Sequence, residues 1–211
     1  MKRPFLLNGN VVVARKRKLQ KNMRPLEIKY LLDLKKLREE VDQISEWSMV
    51  SSYSGRDTTG WESFHLRNYS GNSLTDEISH PVASDTSDAW KFKTCLDVAE
   101  GLPGVTERVR LSKLYPNTII PRHKDFLVTP TTIKRTVRFH IPIYNDFGSI
   151  FIVWGPSGNL FEICSEPGTI WYLPSELDHM CVNGSTSLRV NLIIDKYYSP
   201  EMKEFIQTLM P

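Results

Sequence analysis

The stretch "TTIKRTVRFHIPIYNDFGSIFIVWG", residues 131–155, decides how the fold is read. Within it Arg138 and His140 alternate with Val137, Phe139 and Ile141, the period of a strand with one polar and one apolar side. Turn residues at 145–148 then interrupt the run before a second apolar segment, "GSIFIVWG". Working outward, the same texture runs through "TERVRLSKLYP", "NLFEIC", "GTIWYLP" and "SLRVNLIIDKY". Closely spaced short strands of this kind predict an antiparallel sandwich or barrel for the C-terminal half.

The N-terminal half has a different grain. "LEIKYLL" reads as a short strand. Asp33 is placed to cap a helix over "LKKLREEVDQI", whose Leu34, Leu37, Val41 and Ile44 share one face. A loop-rich middle surrounds a strand at "WESFHLRN"; "AWKFKTCLDVAEGLPG" predicts a helix closed by Gly101 and Pro103; and "SPEMKEFIQTLM" predicts a last helix behind Ser-Pro. The expected architecture is mainly β, a barrel with helices packed outside it. Residues 1–26 form a basic leader and 27–211 a single domain, with no internal repeat.

The 211 residues are 40% hydrophobic and 24% charged, enough for one sizeable core. No apolar run reaches the roughly 20 residues that a membrane helix needs, and the N-terminus lacks the pattern of a secretory signal, so a cytoplasmic protein with no membrane partner is expected. Cys95, Cys164 and Cys181 have no spacing that suggests a disulfide framework or a zinc knuckle, and reduced thiols are expected. A net charge of +3 is too small to point to nucleic acid. Most of it sits in "ARKRKLQKNMR", residues 14–24, where no aromatic side chain is interleaved to stack on bases. That run reads as a solvated leader and no nucleic-acid partner is expected.

Candidate chemistry starts at "PRHKD", residues 121–125. On a strand, residues i and i+2 point to one side, so His123 and Asp125 can offer a nitrogen and a carboxylate to one ion. His179, in the turn-like "LPSELDHMCVNG", is the candidate third ligand. Two histidines and a carboxylate suit iron(II) and leave positions open for an organic ligand and O2. A His-x-Asp pair alone is common by chance; Arg189, a cation among Val, Leu and Ile ten positions after His179, strengthens it. A buried guanidinium must be paired, and a dicarboxylate such as 2-oxoglutarate can pair it bidentately. The polar side of "RTVRFHIPIY" can face either water or the barrel interior.

Taken in order, "LSKLYPNTIIPRHKD", "RFH", "GTIWYLPSELDHMCVN" and "LRVNLIIDKY" resemble the aspartyl/asparaginyl β-hydroxylase family of iron(II)/2-oxoglutarate dioxygenases. Through "GWESFHLRNYSG", "IIPRHKDFL", "RFHIPIYND" and "TIWYLPSELDH" the chain is most similar to its free-proline cis-hydroxylase branch. The resemblance covers Gly60 to Tyr197, roughly two-thirds of the chain. It implies a double-stranded β-helix, of the jelly-roll or cupin-like kind, with His123, Asp125 and His179 as iron ligands. It further implies Arg189 and Ser112 on the distal carboxylate of 2-oxoglutarate, and Arg138 and His140 on the cosubstrate near the metal. The implied reaction hydroxylates an unactivated C–H bond using O2, with succinate and CO2 as coproducts and no side chain needed as a general base. Asp125 favours hydroxyl over halide transfer. The expected substrate is amino-acid-like, either free, held on a carrier protein or part of a peptide, with Arg67, Trp61 and Trp171 as candidate contacts. Two other classes remain at this point: a non-catalytic β-barrel binding a small anion through Arg138 and Arg189, and a scaffold for interactions of the basic leader.

Overall fold

In a computed structural model, the described residues are 24–28, 32–50, 57–125, 136–174 and 176–210. The basic run at 14–24 therefore lies outside them except for Arg24, as do residues 131–135 of the stretch quoted first.

Strand β1 (Leu26–Ile28) leads to helix α1 (Leu34–Asp42). The Asp33 carboxylate accepts the Lys36 backbone N–H at 3.1 Å, the expected cap. After β2 (Ser48–Met49), β3 (Trp61–Asn68) and β4 (Ser84–Asp85), the expected helix at 89–104 is divided. A 3-10 turn at Ala89–Lys91 precedes α2 (Lys93–Gly101), which stops where Leu102 turns extended, just before Pro103. Eight strands follow: β5 (Thr106–Leu114), β6 (Thr118–His123), β7 (Thr136–Tyr144), β8 (Ser149–Trp154), β9 (Leu160–Ile163), β10 (Ile170–Leu173), β11 (His179–Asn183) and β12 (Arg189–Tyr197). Helix α3 (Pro200–Thr208) closes the described chain, with the Ser199 hydroxyl accepting from the Met202 N–H.

The strands form two antiparallel sheets. The larger has the order β1-β10-β7-β12-β5-β3-β2 with β4 beside β3, and the smaller the order β6-β11-β8-β9. This is the expected jelly-roll. Alternation is plainest in β8, where Ser149, Phe151 and Val153 are buried and Ile150, Ile152 and Trp154 are less so. One face of the larger sheet, through Val109, Leu111, Phe139, Ile141, Leu192 and Ile194, packs under the helices, which contribute Leu37, Val41, Cys95, Val98, Met202 and Ile206. The opposite face carries the polar members of the same strands. A second apolar cluster joins Trp61, Leu114 and Leu173 of the larger sheet to Phe151, Val153, Ile163 and Cys181 of the smaller. Among the described residues no helix is long and apolar enough to cross a membrane.

Two local expectations are corrected. His179 is the first residue of a strand rather than a turn residue, and Asp125 lies two residues past the end of β6 rather than within it. Both differences come from pairing between segments more than fifty residues apart, which local pattern does not encode.

Candidate metal centre

Strands β6 and β11 pair antiparallel with His123 opposite His179, so the end of one and the start of the other bring two imidazoles together, ring centroids 4.2 Å apart. Asp125 completes the group: one donor atom from each of the three residues lies within 4.8 Å of the others, and all three are buried. Each histidine Nδ1 meets a backbone carbonyl two residues earlier, His123 with Pro121 at 2.6 Å and His179 with Leu177 at 2.9 Å. A carbonyl only accepts, so each Nδ1 is the donor, and in a neutral ring with that tautomer Nε2 presents a lone pair. Both Nε2 atoms stand 3.7 Å from an Asp125 oxygen. That exceeds a hydrogen bond and approaches the ~3 Å that separates two atoms each ~2.1 Å from one divalent ion. Burial pushes the His179 pKa down to about 4 although Asp125 pulls it up, leaving a neutral imidazole at neutral pH. The donor set therefore fits a first-row divalent metal with open positions.

The facing wall is the polar side of the larger sheet. Across β5, β12 and β7, Ile193 separates Arg110 from His140, Asp195 separates Arg108 from Arg138, and Asn191 pairs with Ser112. Arg138 and His140 thus face inward, with His123, Asp125, His179, Arg110, Ser112, Arg189 and Trp61 lining the same cavity. Arg138 holds Asp195 with two hydrogen bonds, 2.7 and 3.1 Å, and its remaining terminal nitrogen donates to Asp125. Arg108 adds a contact of 3.1 Å to Asp195. These guanidiniums hold the Asp195 carboxyl well below the usual range despite complete burial. Leaving them without it would cost about 3–5 kcal/mol, the usual effect of an uncompensated buried charge.

Arg189 is 4% exposed and meets no carboxylate among the described residues. Its Nε donates to Asn145 at 3.2 Å, one terminal nitrogen touches the Cys181 sulfur, and burial lowers its pKa to about 10. The Ser112 hydroxyl accepts from the Trp61 indole at 2.9 Å, which leaves its own hydrogen for a ligand. The buried His140 Nδ1 has no partner among the described residues, and burial holds that imidazole neutral. An unpaired cation, a free hydroxyl hydrogen and an orphaned ring nitrogen around one cavity fit an anionic ligand with several oxygens.

Arg67 and Trp171 do not line this cavity. A register shift between His65 and Arg67 turns Arg67 away, toward Asp85 and Glu100, each met at 2.6 Å. Trp171 packs at the margin of the second cluster and its indole donates to the Thr169 hydroxyl at 3.0 Å. Arg122 and Lys124, which flank His123, both reach Asp178, at 3.0 and 3.7 Å. Arg110, Asn191 and Asp195 were not among the sequence candidates. Their signal is the alternation of "TERVRLSKL" and the even spacing Arg189, Asn191, Ile193, Asp195 along one strand.

A family model described as aspartyl/asparaginyl beta-hydroxylase matches residues 31–198. No curated protein matches the chain. Solved structures with a similar fold include a prolyl hydroxylase from Trichoplax adhaerens in complex with a hypoxia inducible factor oxygen degradation domain peptide fragment (10% identity, 92% of this chain and 90% of that one, TM-score 0.57). An oxidoreductase of the 2OG-Fe(II) oxygenase family from Burkholderia pseudomallei is 12% identical over 87% and 77% of the two chains, TM-score 0.51. A Pseudomonas putida prolyl-4-hydroxylase is 14% identical over 89% and 98%, TM-score 0.50. At these identities the likeness is one of fold.

Proposed function

The chain belongs to the aspartyl/asparaginyl β-hydroxylase family, and from that premise we propose a specific reaction: iron(II)- and 2-oxoglutarate-dependent hydroxylation of an unactivated C–H bond in an amino acid, with succinate and CO2 as coproducts. The amino acid is free, carrier-tethered or peptidyl, and the likeness of "GWESFHLRNYSG" to the free-proline cis-hydroxylases favours the free form. The observation that carries this reading is the convergence of His123, Asp125 and His179 on one point of a cavity whose other wall holds the acid-free Arg189.

In this reading the three converging side chains hold iron(II), which when bound supplies the oxygen and electron-transfer chemistry that no side chain can. Arg189 receives the distal carboxylate of 2-oxoglutarate, and Ser112 donates its hydroxyl hydrogen to the same group. Arg138 keeps Asp125 oriented from behind, and with His140 offers donors to the cosubstrate near the metal. Trp61 and Phe151 supply apolar surface that limits water. Neutral His179 needs no deprotonation before it can ligate, and no residue has to serve as a general base.

The test is anaerobic titration with iron(II) and 2-oxoglutarate, read by the visible charge-transfer band of the chelate. It is followed by O2, with succinate release and mass spectrometry of an amino-acid panel for a gain of one oxygen. His179→Ala is expected to abolish metal binding. Arg189→Ala should keep metal and weaken 2-oxoglutarate roughly 10- to 100-fold, the range of a charged hydrogen-bonded contact. No band at saturating metal, with no succinate from any panel member, sinks the proposal. Metal-independent anion binding would instead favour a non-catalytic barrel.

A further inference from the structure

Arg110 is the cation for which neither the fold nor the proposed cosubstrate accounts. It stands on the inward face of β5 with its side chain 13% exposed, and it makes no hydrogen bond among the described residues. Its nearest carboxylate oxygen, Asp195 Oδ2, is 3.9 Å away and lies closer to both Arg108 and Arg138. Burial and the neighbouring Arg138 both work against its charge. A guanidinium kept in such a place costs stability unless an anion meets it.

The carboxylates around the cavity do not supply that anion. Asp195 is held by Arg138 and Arg108, Asp125 is met by Arg138, and the half-exposed Asp76 pairs with Arg108 from the rim, so each has a guanidinium closer than Arg110. The proposed cosubstrate does not supply it either. In the hydroxylase reading one carboxylate of 2-oxoglutarate is anchored on Arg189, four rungs of the ladder from Arg110, and the keto-acid end lies on the metal, so both charged ends of that molecule are already engaged.

We propose that Arg110 receives a carboxylate of the organic substrate and so selects acids over amides, esters and carrier-bound thioesters. This rests on the hydroxylase reading and narrows it to substrates with a free carboxylate. The same contact orients the substrate against the metal centre, since Arg110 shares its cavity with all three candidate ligands.

The test uses the intact protein with iron(II) and 2-oxoglutarate under anaerobic conditions. Each common free L-amino acid and its carboxamide are added, and the perturbation of the charge-transfer band is read as binding. For at least one amino acid the wild type should prefer acid to amide by 10-fold or more. In Arg110→Met that preference should fall to within 2-fold, with the iron and 2-oxoglutarate titrations unchanged, which also shows the centre intact; Arg110→Lys should keep part of the preference. The proposal is overturned if no free acid perturbs the wild-type band, if Arg110→Met keeps the preference, or if Arg110→Met instead weakens 2-oxoglutarate, which would make Arg110 a cosubstrate residue. Absence of the band itself in the wild type overturns the hydroxylase reading, so the two failures are distinguishable.

Discussion

His65 shows how a single buried side chain sets the behaviour of this protein in acid. Its side chain is 3% exposed, and burial lowers its pKa to about 4 although Asp76, 3.8 Å away, pulls it up. The unfolded imidazole takes a proton near pH 6.5 while the folded one refuses it until about 4. Between those values the unfolded chain binds more protons, so stability is complete above 6.5 and is lost as pH falls toward 4. His179 behaves alike in the metal-free protein. At 1.36 kcal/mol per pKa unit each contributes a loss of about 3 kcal/mol over the window. The urea midpoint of metal-free protein should therefore drop between pH 7.5 and 5, and less steeply in His65→Gln; a midpoint unchanged between those pH values would contradict the assignment. At this scale the sequence was legible where a charge broke an apolar alternation, as at Arg138 and Arg189. It misled at Arg67, because a one-residue shift of register turns a strand side chain to the opposite face and leaves no trace in composition.

Among the elements, β11 owes its position to its last residue. Asn183 is fully buried and its amide hydrogens are shared by the carbonyls of Leu114, Tyr115 and Ser187 at 2.9–3.1 Å. Its oxygen accepts from the Ser149 and Ser185 hydroxyls at 2.7 and 2.8 Å. One side chain thus ties the end of β5, the start of β8 and the turn into β12 to the strand that begins with His179. Replacing it with alanine strands several buried polar groups at ~1–3 kcal/mol each. Asn183→Ala should lose at least about 3 kcal/mol in chemical denaturation, and the variant that still folds should bind metal more weakly. A loss under ~1 kcal/mol would show that water replaces the amide. None of this was readable in advance. "HMCVN" is too short and mixed to announce a strand, and its partners β6 and β8 are distant in sequence, whereas α1 and α3, governed by local caps, were visible at once.

Taken whole, the molecule places its candidate ligands on or just beyond the smaller sheet and the guanidiniums of Arg110, Arg138 and Arg189 on the larger one. A metal and a dicarboxylate bound together would bridge the two sheets. A ligand at 100 times its dissociation constant stabilises by about 2.7 kcal/mol. For a chain of this length that corresponds to roughly 5–10 °C in melting temperature. Anaerobic iron(II) with 2-oxoglutarate should raise the midpoint by that order, 2-oxoglutarate alone by less, and a chelator should reverse it; no shift with both present would mean that the sheets are not bridged there. The barrel followed from alternation because burial enforces it along every strand, whereas the inward direction of the polar face was implied only by the family resemblance. The substrate did not, since the cavity is assembled from seven strands and no local segment contains its shape.

The ion pairs outside the histidine pair give the site a link to its surroundings. Asp178 adjoins His179, its partners Arg122 and Lys124 flank His123, and together they act as a buckle across the back of β6 and β11. Such exposed contacts contribute only ~0–1 kcal/mol each and fade as dissolved ions shorten the range of charge to ~8 Å and below. The ionic strength of the medium therefore reaches a centre whose own side chains are almost wholly buried. Fresh and briny solutions would meet the same two imidazoles, clasped more firmly in the first than in the second.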